Sequence, residues 1–485
     1  RLAQRPLHGD EAIHAYKLGE LLEQGFYKYD PHDYHGPTLN FFSYIPAKIR
    51  GIDDFEQVDE FTIRGTVVIF SLLIIWLIWL IRKGITWQGA LISALFLVMS
   101  PGFVFYGRYY IQETLLVFFT FGLIVCGYRY FKNSGIGWGI GGGVCLGLMH
   151  ATKETCVLNL TGVFGGLVVV GFNYLRLEND SRKIKDRLNV ETLTFFAIAA
   201  IVTSVSFYSV LFTDFQAVKD SVYTYFHYLN RDGQNSLHIH KWYYYFEILL
   251  GWQRGIGPFW SEGFVVLLAI IGAFAAFWNK SKNYFDIYFV RFIFYYTVFT
   301  AGIYSFISYK TPWCLLNFYI GMIILAGIGA YSLIRNFRVK QTKFLVTFLL
   351  VLGFAHLAWQ SYLANFKYYE SPYNPYVYAH PRNTVFKMAD KIQRIAELDG
   401  VTIEVAAEGG DYWPLPWYLR NVDNILWNED VDLESQPADV EIISSGLEQK
   451  LIKKLYEIRP PGQRELYVNF FDGGSETLRP GVELL

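Results

Sequence analysis

Ten runs of roughly twenty mostly apolar residues leave this chain little choice but a lipid bilayer. They fall at about 65–81, 87–106, 114–131, 136–152, 156–175, 191–213, 258–278, 287–307, 313–334 and 343–363. A bilayer core takes about 20 residues of helix to cross, and helices satisfy their own backbone hydrogen bonds in lipid. The expected fold is an α-helical polytopic membrane protein with about ten spanning helices. Composition agrees: 18% of residues are charged, against about 25% in soluble domains. The formal net charge of −1 excludes a nucleic-acid partner, which needs a concentrated basic surface.

The short connectors carry a charge bias that orients the helices. Arg82 and Lys83, then Arg129 and Lys132, then Arg176, Arg182, Lys183, Lys185 and Arg187 fall in alternate connectors. Lys280 and Lys282, and then Arg335, Arg338, Lys340 and Lys343, continue the pattern. Basic loops stay cytoplasmic. Residues 1–63, the turns at 107–113, 152–155 and 308–312, the 214–257 stretch and everything after 363 are therefore expected outside. The run around Trp242–Trp252 reads as interfacial or re-entrant, because a span there would turn the Arg335–Lys343 cluster outward. A polar segment 1–63 on the outside calls for a spanning helix or cleaved signal ahead of Arg1.

Beyond 364 no long apolar run remains and acidic residues predominate. Helical periodicity fits 384–398 and 447–457, while Val401–Ala407, Val440–Ser444 and Glu465–Phe471 read as short buried strands. The pattern predicts a small α/β domain. The organisation expected is a first extracytoplasmic loop (1–63), a transmembrane domain (64–363) and an extracytoplasmic α/β domain (364–485). Cys126, Cys145, Cys156 and Cys314 all lie in apolar runs, giving neither a disulfide framework nor a CxxC metal pattern.

Ionisable residues gather at the outer helix ends. The first loop holds Asp10-Glu11 and Asp30-Pro31-His32-Asp33-Tyr34-His35-Gly36-Pro37-Thr38-Leu39. The outer turns hold Arg108-Tyr109-Tyr110-Ile111-Gln112-Glu113, Lys153-Glu154 and Lys310-Thr311-Pro312-Trp313. Asp10-Glu11 has a plain structural reading, Asp10 as N-cap with Glu11 in the first helical turn. The turns have one too, snorkelling at the interface. Yet the cytoplasmic turns are essentially basic, whereas these mix both signs, which points to one convergent polar site. There Arg108, Lys153 and Lys310 suit a phosphate, and a carboxylate among Asp10, Glu11 and Glu113 suits a general base. That is the equipment for transferring a sugar from a lipid phosphate. His32, His35, His238 and His240 lack a strong ligand spacing; His35 and Glu113 are the candidate ligands for a divalent cation. Gly137-Trp138-Gly139-Ile140-Gly141-Gly142 fits GxGxxG, but inside an apolar helix it reads as close helix packing.

On these residues the chain resembles the GT-C superfamily over about 1–363, in its protein O-mannosyltransferase and aminoarabinose-transferase branch. It is similar in particular to the prokaryotic family associated with flippase activity in archaeal N-glycosylation. Asp10-Glu11 resembles the Asp-Glu of that branch's first outer loop, and His35-Gly36-Pro37-Thr38-Leu39 its His-Pro-Pro-Leu or Glu-Lys-Pro-Pro-Leu element. Arg108 to Glu113 sits where its second acidic motif falls, and Lys310-Thr311-Pro312-Trp313 resembles its Lys-x-Pro-Trp/Tyr element. Asp411-Tyr412-Trp413-Pro414-Leu415-Pro416-Trp417-Tyr418-Leu419-Arg420 is similar to the tail of the flippase-associated family. Gly36 stands where the related element has lysine or proline, which shifts phosphate binding to Lys153 or Lys310.

The resemblance implies a GT-C-like inverting glycosyltransferase of the cell (inner or plasma) membrane. It moves a sugar from a polyprenyl-phosphate donor to an acceptor hydroxyl on a protein, lipid or glycan. Asp10 is then the base, Glu11 and Glu113 shape the site, and Arg108, Lys153 and Lys310 bind the donor phosphate. His35, Tyr109, Glu154 and Trp313 contact the acceptor or support the site. The competing readings are a lipid-linked-oligosaccharide translocase or its accessory subunit, and a non-catalytic scaffold. A translocase needs mid-membrane charges, of which Arg291 is the clearest.

Overall fold

The computed structural model describes residues 2–32, 35–178, 189–230, 238–277, 284–464, 466–468, 475–479 and 482–485. Asp33, Tyr34, Arg182, Lys183, Lys185, Arg187, Lys280, Lys282 and the 465 and 469–471 parts of the expected third strand lie outside the described residues. Two helices, α1 (Gly9–Gln24) and α2 (Thr38–Ile49), precede the bundle. Apolar helices then stand at all ten expected places. Seven have the length and composition of a membrane span: α3 (Glu60–Leu80), α6 (Glu113–Asn133), α8 (Cys156–Glu178), α9 (Val190–Tyr208), α13 (Ile287–Phe306), α14 (Leu316–Asn336) and α15 (Lys340–Tyr362). Three are shorter: α4 (Trp87–Met99), α7 (Ile136–His150) and α12 (Gly263–Phe277).

The run 87–106 is two helices, because Pro101 ends α4 and starts α5 (Pro101–Tyr106). Proline supplies no N–H to a continuing helix, and Ser100 caps the new one by accepting from the Phe103 N–H at 3.2 Å. After α10 (Gln216–Asn230), the Trp242–Trp252 run contains only α11 (Tyr244–Leu250). Seven residues at about 1.5 Å each cannot cross a bilayer.

α14 is the hub, with 94% of its apolar window buried against 11% for α9 on the perimeter. Small residues bring the helices close. A Cβ on Gly143 of α7 would stand 2.2 Å from the Phe196 carbonyl of α9, and one on Gly147 2.5 Å from that of Ala200. The glycine-rich stretch therefore continues into a packing face. Outward on the bundle, Trp76, Phe172 and Phe344 are exposed, a surface that suits lipid.

The tail is α16 (Thr384–Ala396), β1 (Ile403–Ala406), α17 (Leu415–Tyr418), β2 (Ile425–Asn428), β3 (Val440–Ile443), α18 (Glu448–Ile452) and the hairpin β4 (Glu476–Arg479)–β5 (Val482–Leu484). Strands β2-β1-β3 form a parallel sheet. The third strand of this sheet is thus Ile425–Asn428; of the expected Glu465–Phe471 strand, the described residues 466–468 form none. The true strand carries no buried apolar run, since all four of its residues are partly or fully exposed, so periodicity gave it no signal. This domain also shares a hydrophobic core with the first loop: Leu7, Ala12 and Leu18 pack in one cluster with Ile403, Leu415 and Trp417.

Candidate active site

α1 begins with a reciprocal cap. His8 accepts from the Asp10 N–H at 3.0 Å, and Glu11 accepts from the His8 N–H at 3.1 Å. The N-cap is therefore His8, and both carboxylates fall in the first turn. Helical geometry then sends them to different surroundings.

Glu11 is fully buried and saturated. It accepts from Arg64 Nε at 2.8 Å and Arg64 NH2 at 2.7 Å, from Arg5 at 3.3 Å, and from the Tyr110 N–H at 2.9 Å. Burial opposes its charge, but the two guanidiniums outweigh it and hold its carboxyl far below the usual range. Glu11 ties loop 2–8, α1, α3 and the 107–112 turn together, and no lone pair is left for a reacting proton.

Asp10 is half-exposed, with the His8 ring 3.6 Å away. Its oxygens accept no hydrogen bond among the described residues. Burial opposes its ionisation, but His8, His14, His35 and Lys153 together lower its pKa below the ordinary value. His14 lies one turn on along α1. Burial brings its pKa down to about 3, so it stays neutral, 2.9 Å from the Gln112 amide.

The 151–155 turn is clamped to the first loop at a close backbone approach. A Cβ on Gly36 would lie 2.2 Å from the Ala151 carbonyl, and the Thr38 hydroxyl donates to that of Thr152 at 2.9 Å. This sets His35 Nδ1 2.8 Å from Glu154. It explains the glycine where lysine or proline was expected. Lys153 donates to Glu113, and both are buried. Cys314 Sγ lies 4.0 Å from the same Glu113 oxygen.

Lys310 lies in the turn between α13 and α14. The residue is 1% exposed, and its ammonium donates to the carbonyls of His240 (3.2 Å) and Ile307. No carboxylate pairs with it among the described residues, and burial lowers its pKa. An aromatic cluster packs around His8, the N-cap beside Asp10. The Trp313 ring is 5.8 Å from His8 and from Tyr109, and 5.7 Å from Tyr378.

Arg108 stands apart. It donates to Asn365 at 2.5 Å, lies 5.4 Å over Phe366, and lines a small cavity with Arg5, Arg64 and Tyr369. His35 and Glu113 are held by different partners, and no three His, Cys, Asp or Glu side chains gather as a metal-ligand set among the described residues. Arg291 donates to the Ala276 carbonyl at 3.0 Å, which makes it a helix-end cap.

Residues 35–212 match the family described as dolichyl-phosphate-mannose-protein mannosyltransferase. The structure is similar to that of ArnT from Cupriavidus metallidurans bound to undecaprenyl phosphate, with a TM-score of 0.61 at 13% identity over 100% of this chain and 94% of that one. The chain has the GT-C fold. Apo ArnT from the same organism gives 0.62 at 14% identity, over 94% of this chain and 92% of that one. The archaeal oligosaccharyltransferase AglB from Archaeoglobus fulgidus, in complex with an inhibitory peptide and a dolichol-phosphate, gives 0.52 at 9% identity, over 88% and 61%. No curated protein sequence matches.

In this GT-C chain the structure gathers Asp10, His35, Glu113, Lys153, Glu154 and Trp313, with Lys310 three residues before Trp313. It sets Arg108 elsewhere and gives Glu11 a clamping position. Sequence reasoning missed His8, His14, Arg64 and Tyr378. His14 carried a signal, being four residues after Asp10 on one helix. Arg64 carried another, as a charge in the first turn of an apolar run.

Proposed function

We propose that this GT-C protein is an inverting glycosyltransferase on the extracytoplasmic face of the cell membrane, using a polyprenyl-phosphate-linked sugar. The observation that carries the reading is Asp10: an ionised, half-exposed carboxylate with no donor on its oxygens, ringed by His8, His14, His35 and Lys153. The acceptor hydroxyl gives its proton to Asp10 as its oxygen bonds to the anomeric carbon. The bond from that carbon to the phosphate oxygen breaks, and polyprenyl phosphate leaves with the electron pair. Lys310, without a carboxylate partner, receives the phosphate, while the Lys153–Glu113 pair lines the floor. A lateral apolar cavity of about 450 Å³, between Trp242, Phe246, Ala301, Phe306 and Met322, adjoins the Lys310 turn and takes the isoprenoid chain. No step is routed through a cation, since the candidate ligands are already paired.

Polyprenyl-phosphate binding to the full-length protein in nanodiscs tests the donor half. Lys310→Ala is expected to raise Kd about 10–100-fold, the worth of one hydrogen bond to a charged group. Wild-type affinity in this variant, with loss in Arg108→Ala, would move the phosphate to the other cavity. The pH profile tests the base. Because the Asp10 pKa is lowered, kcat/KM should hold its plateau down to about pH 4 and fall only below the ordinary aspartate value of about 3.9. An acid limb near pH 6 would assign the base to a histidine.

A further inference from the structure

The α/β tail has a feature that transfer from the lipid donor does not by itself use. In an open parallel sheet, ligands bind outside the carboxyl ends of the strands, where the strand order reverses. The order β2-β1-β3 puts that point between the loops that follow β1 and β3. The β1 loop turns back through two consecutive left-handed glycines, Gly409 (φ 64°) and Gly410 (φ 74°), a conformation that disfavours a side chain. The loops meet at Gly446, where a Cβ would stand 2.6 Å from a Glu408 carboxylate oxygen.

The lip is aromatic and acidic. The Tyr412 ring lies 4.9 Å from Trp427, at the end of β2, and 6.5 Å from Trp413, and all three are partly exposed. Glu429 is exposed and its charge bears on the Tyr412 hydroxyl, while Glu408, also exposed, begins the same loop. The same loop reaches the catalytic helix. The Trp413 ring is 5.9 Å from Tyr16, and a side chain on Gly9, next to Asp10, would stand 3.6 Å from the Trp413 Cβ. The loop therefore runs from the switch point to the N-terminus of the helix that carries the proposed base.

We propose that the Glu408–Trp413 loop, with Trp427, is an acceptor subsite that binds a neutral saccharide. Aromatic faces accept the C–H face of a sugar ring, and the flanking carboxylates accept its hydroxyl protons. Acidic flanks also disfavour anionic acceptors. The inference rests on the glycosyl-transfer reading for its purpose, but the binding can be measured without turnover.

The test is saturation-transfer NMR on the full-length protein in nanodiscs with cellotriose, maltotriose, mannotriose and chitotriose as probes. At least one is expected to bind, with Kd in the millimolar range or below. Tyr412→Ala and the near-isosteric Glu408→Gln should each weaken binding about tenfold, Tyr412→Phe should retain it, and Lys310→Ala should leave it unchanged. Glu408 is exposed, so its variant tests the site without disturbing the fold. No binding by any probe, or binding that survives both Tyr412→Ala and Glu408→Gln, overturns the proposal. If saccharides bind at the lip while Asp10→Asn keeps full transfer, the subsite stands and the catalytic reading fails.

Discussion

Asp10→Asn should lower kcat about 10³-fold while leaving donor affinity unchanged. General-base catalysis by a positioned side chain contributes about 10²–10⁴-fold, and the amide keeps the carboxylate's shape while losing its basicity. The fold should survive, because the Asp10 side chain takes no hydrogen bond among the described residues; its backbone N–H makes the cap to His8. The assay follows label leaving a radiolabelled polyprenyl-phosphate sugar in nanodiscs, with polyprenyl-phosphate Kd measured alongside. A variant within tenfold of wild type would remove Asp10 from the chemistry. A variant that lost donor binding to the same degree as kcat/KM would make it a binding residue.

Glu11→Ala should behave in the opposite way, losing stability first. Removing one partner from a buried ion pair costs about 3–5 kcal/mol, and here two guanidiniums, Arg5 and Arg64, are left buried without their carboxylate. Unfolding in detergent, followed by the fraction that stays monodisperse on heating, reads the loss. Arg64→Met in the Glu11→Met background should recover part of it, because one guanidinium, Arg5, is then left without the carboxylate rather than two. The dependence on pH has a fixed sign. The folded carboxyl titrates far below an unfolded glutamate, so its contribution is complete above about pH 4.3 and is lost as pH falls below that. Wild-type thermal stability in Glu11→Ala would show that the clamp carries no load.

The bundle was legible because apolar length is written locally. Helices stand at all ten apolar runs, and glycine-rich segments such as 139–147 pack where small residues permit. Breaks were less visible: Pro101 splits a run that hydropathy alone joins. In the tail, β1 and β3 showed as buried apolar runs, whereas Ile425–Asn428 did not, since its faces are partly open. The site was legible as a set of outer turns but not as an arrangement. Sequence gives no reason why, of two adjacent carboxylates, Glu11 meets Arg64 and Asp10 meets His35 and Lys153; a 100° rotation on α1 decides it. Nor does it show that Arg108 turns toward Asn365, 257 residues away, or that Tyr418 reaches the Leu7 N–H at 2.7 Å and seats the tail on the first loop. These are long-range contacts, set by how the elements dock.

The central claim is that the donor phosphate and the Asp10 carboxylate occupy one site. Cryo-electron microscopy of the nanodisc-embedded protein with excess undecaprenyl phosphate measures it directly. Phosphate density is expected within about 3 Å of Lys310 Nζ and beside Asp10, with the isoprenoid running past Phe306 and Phe246. Phosphate density against Arg108 and Asn365 instead, with the Lys310 turn unchanged, would contradict it.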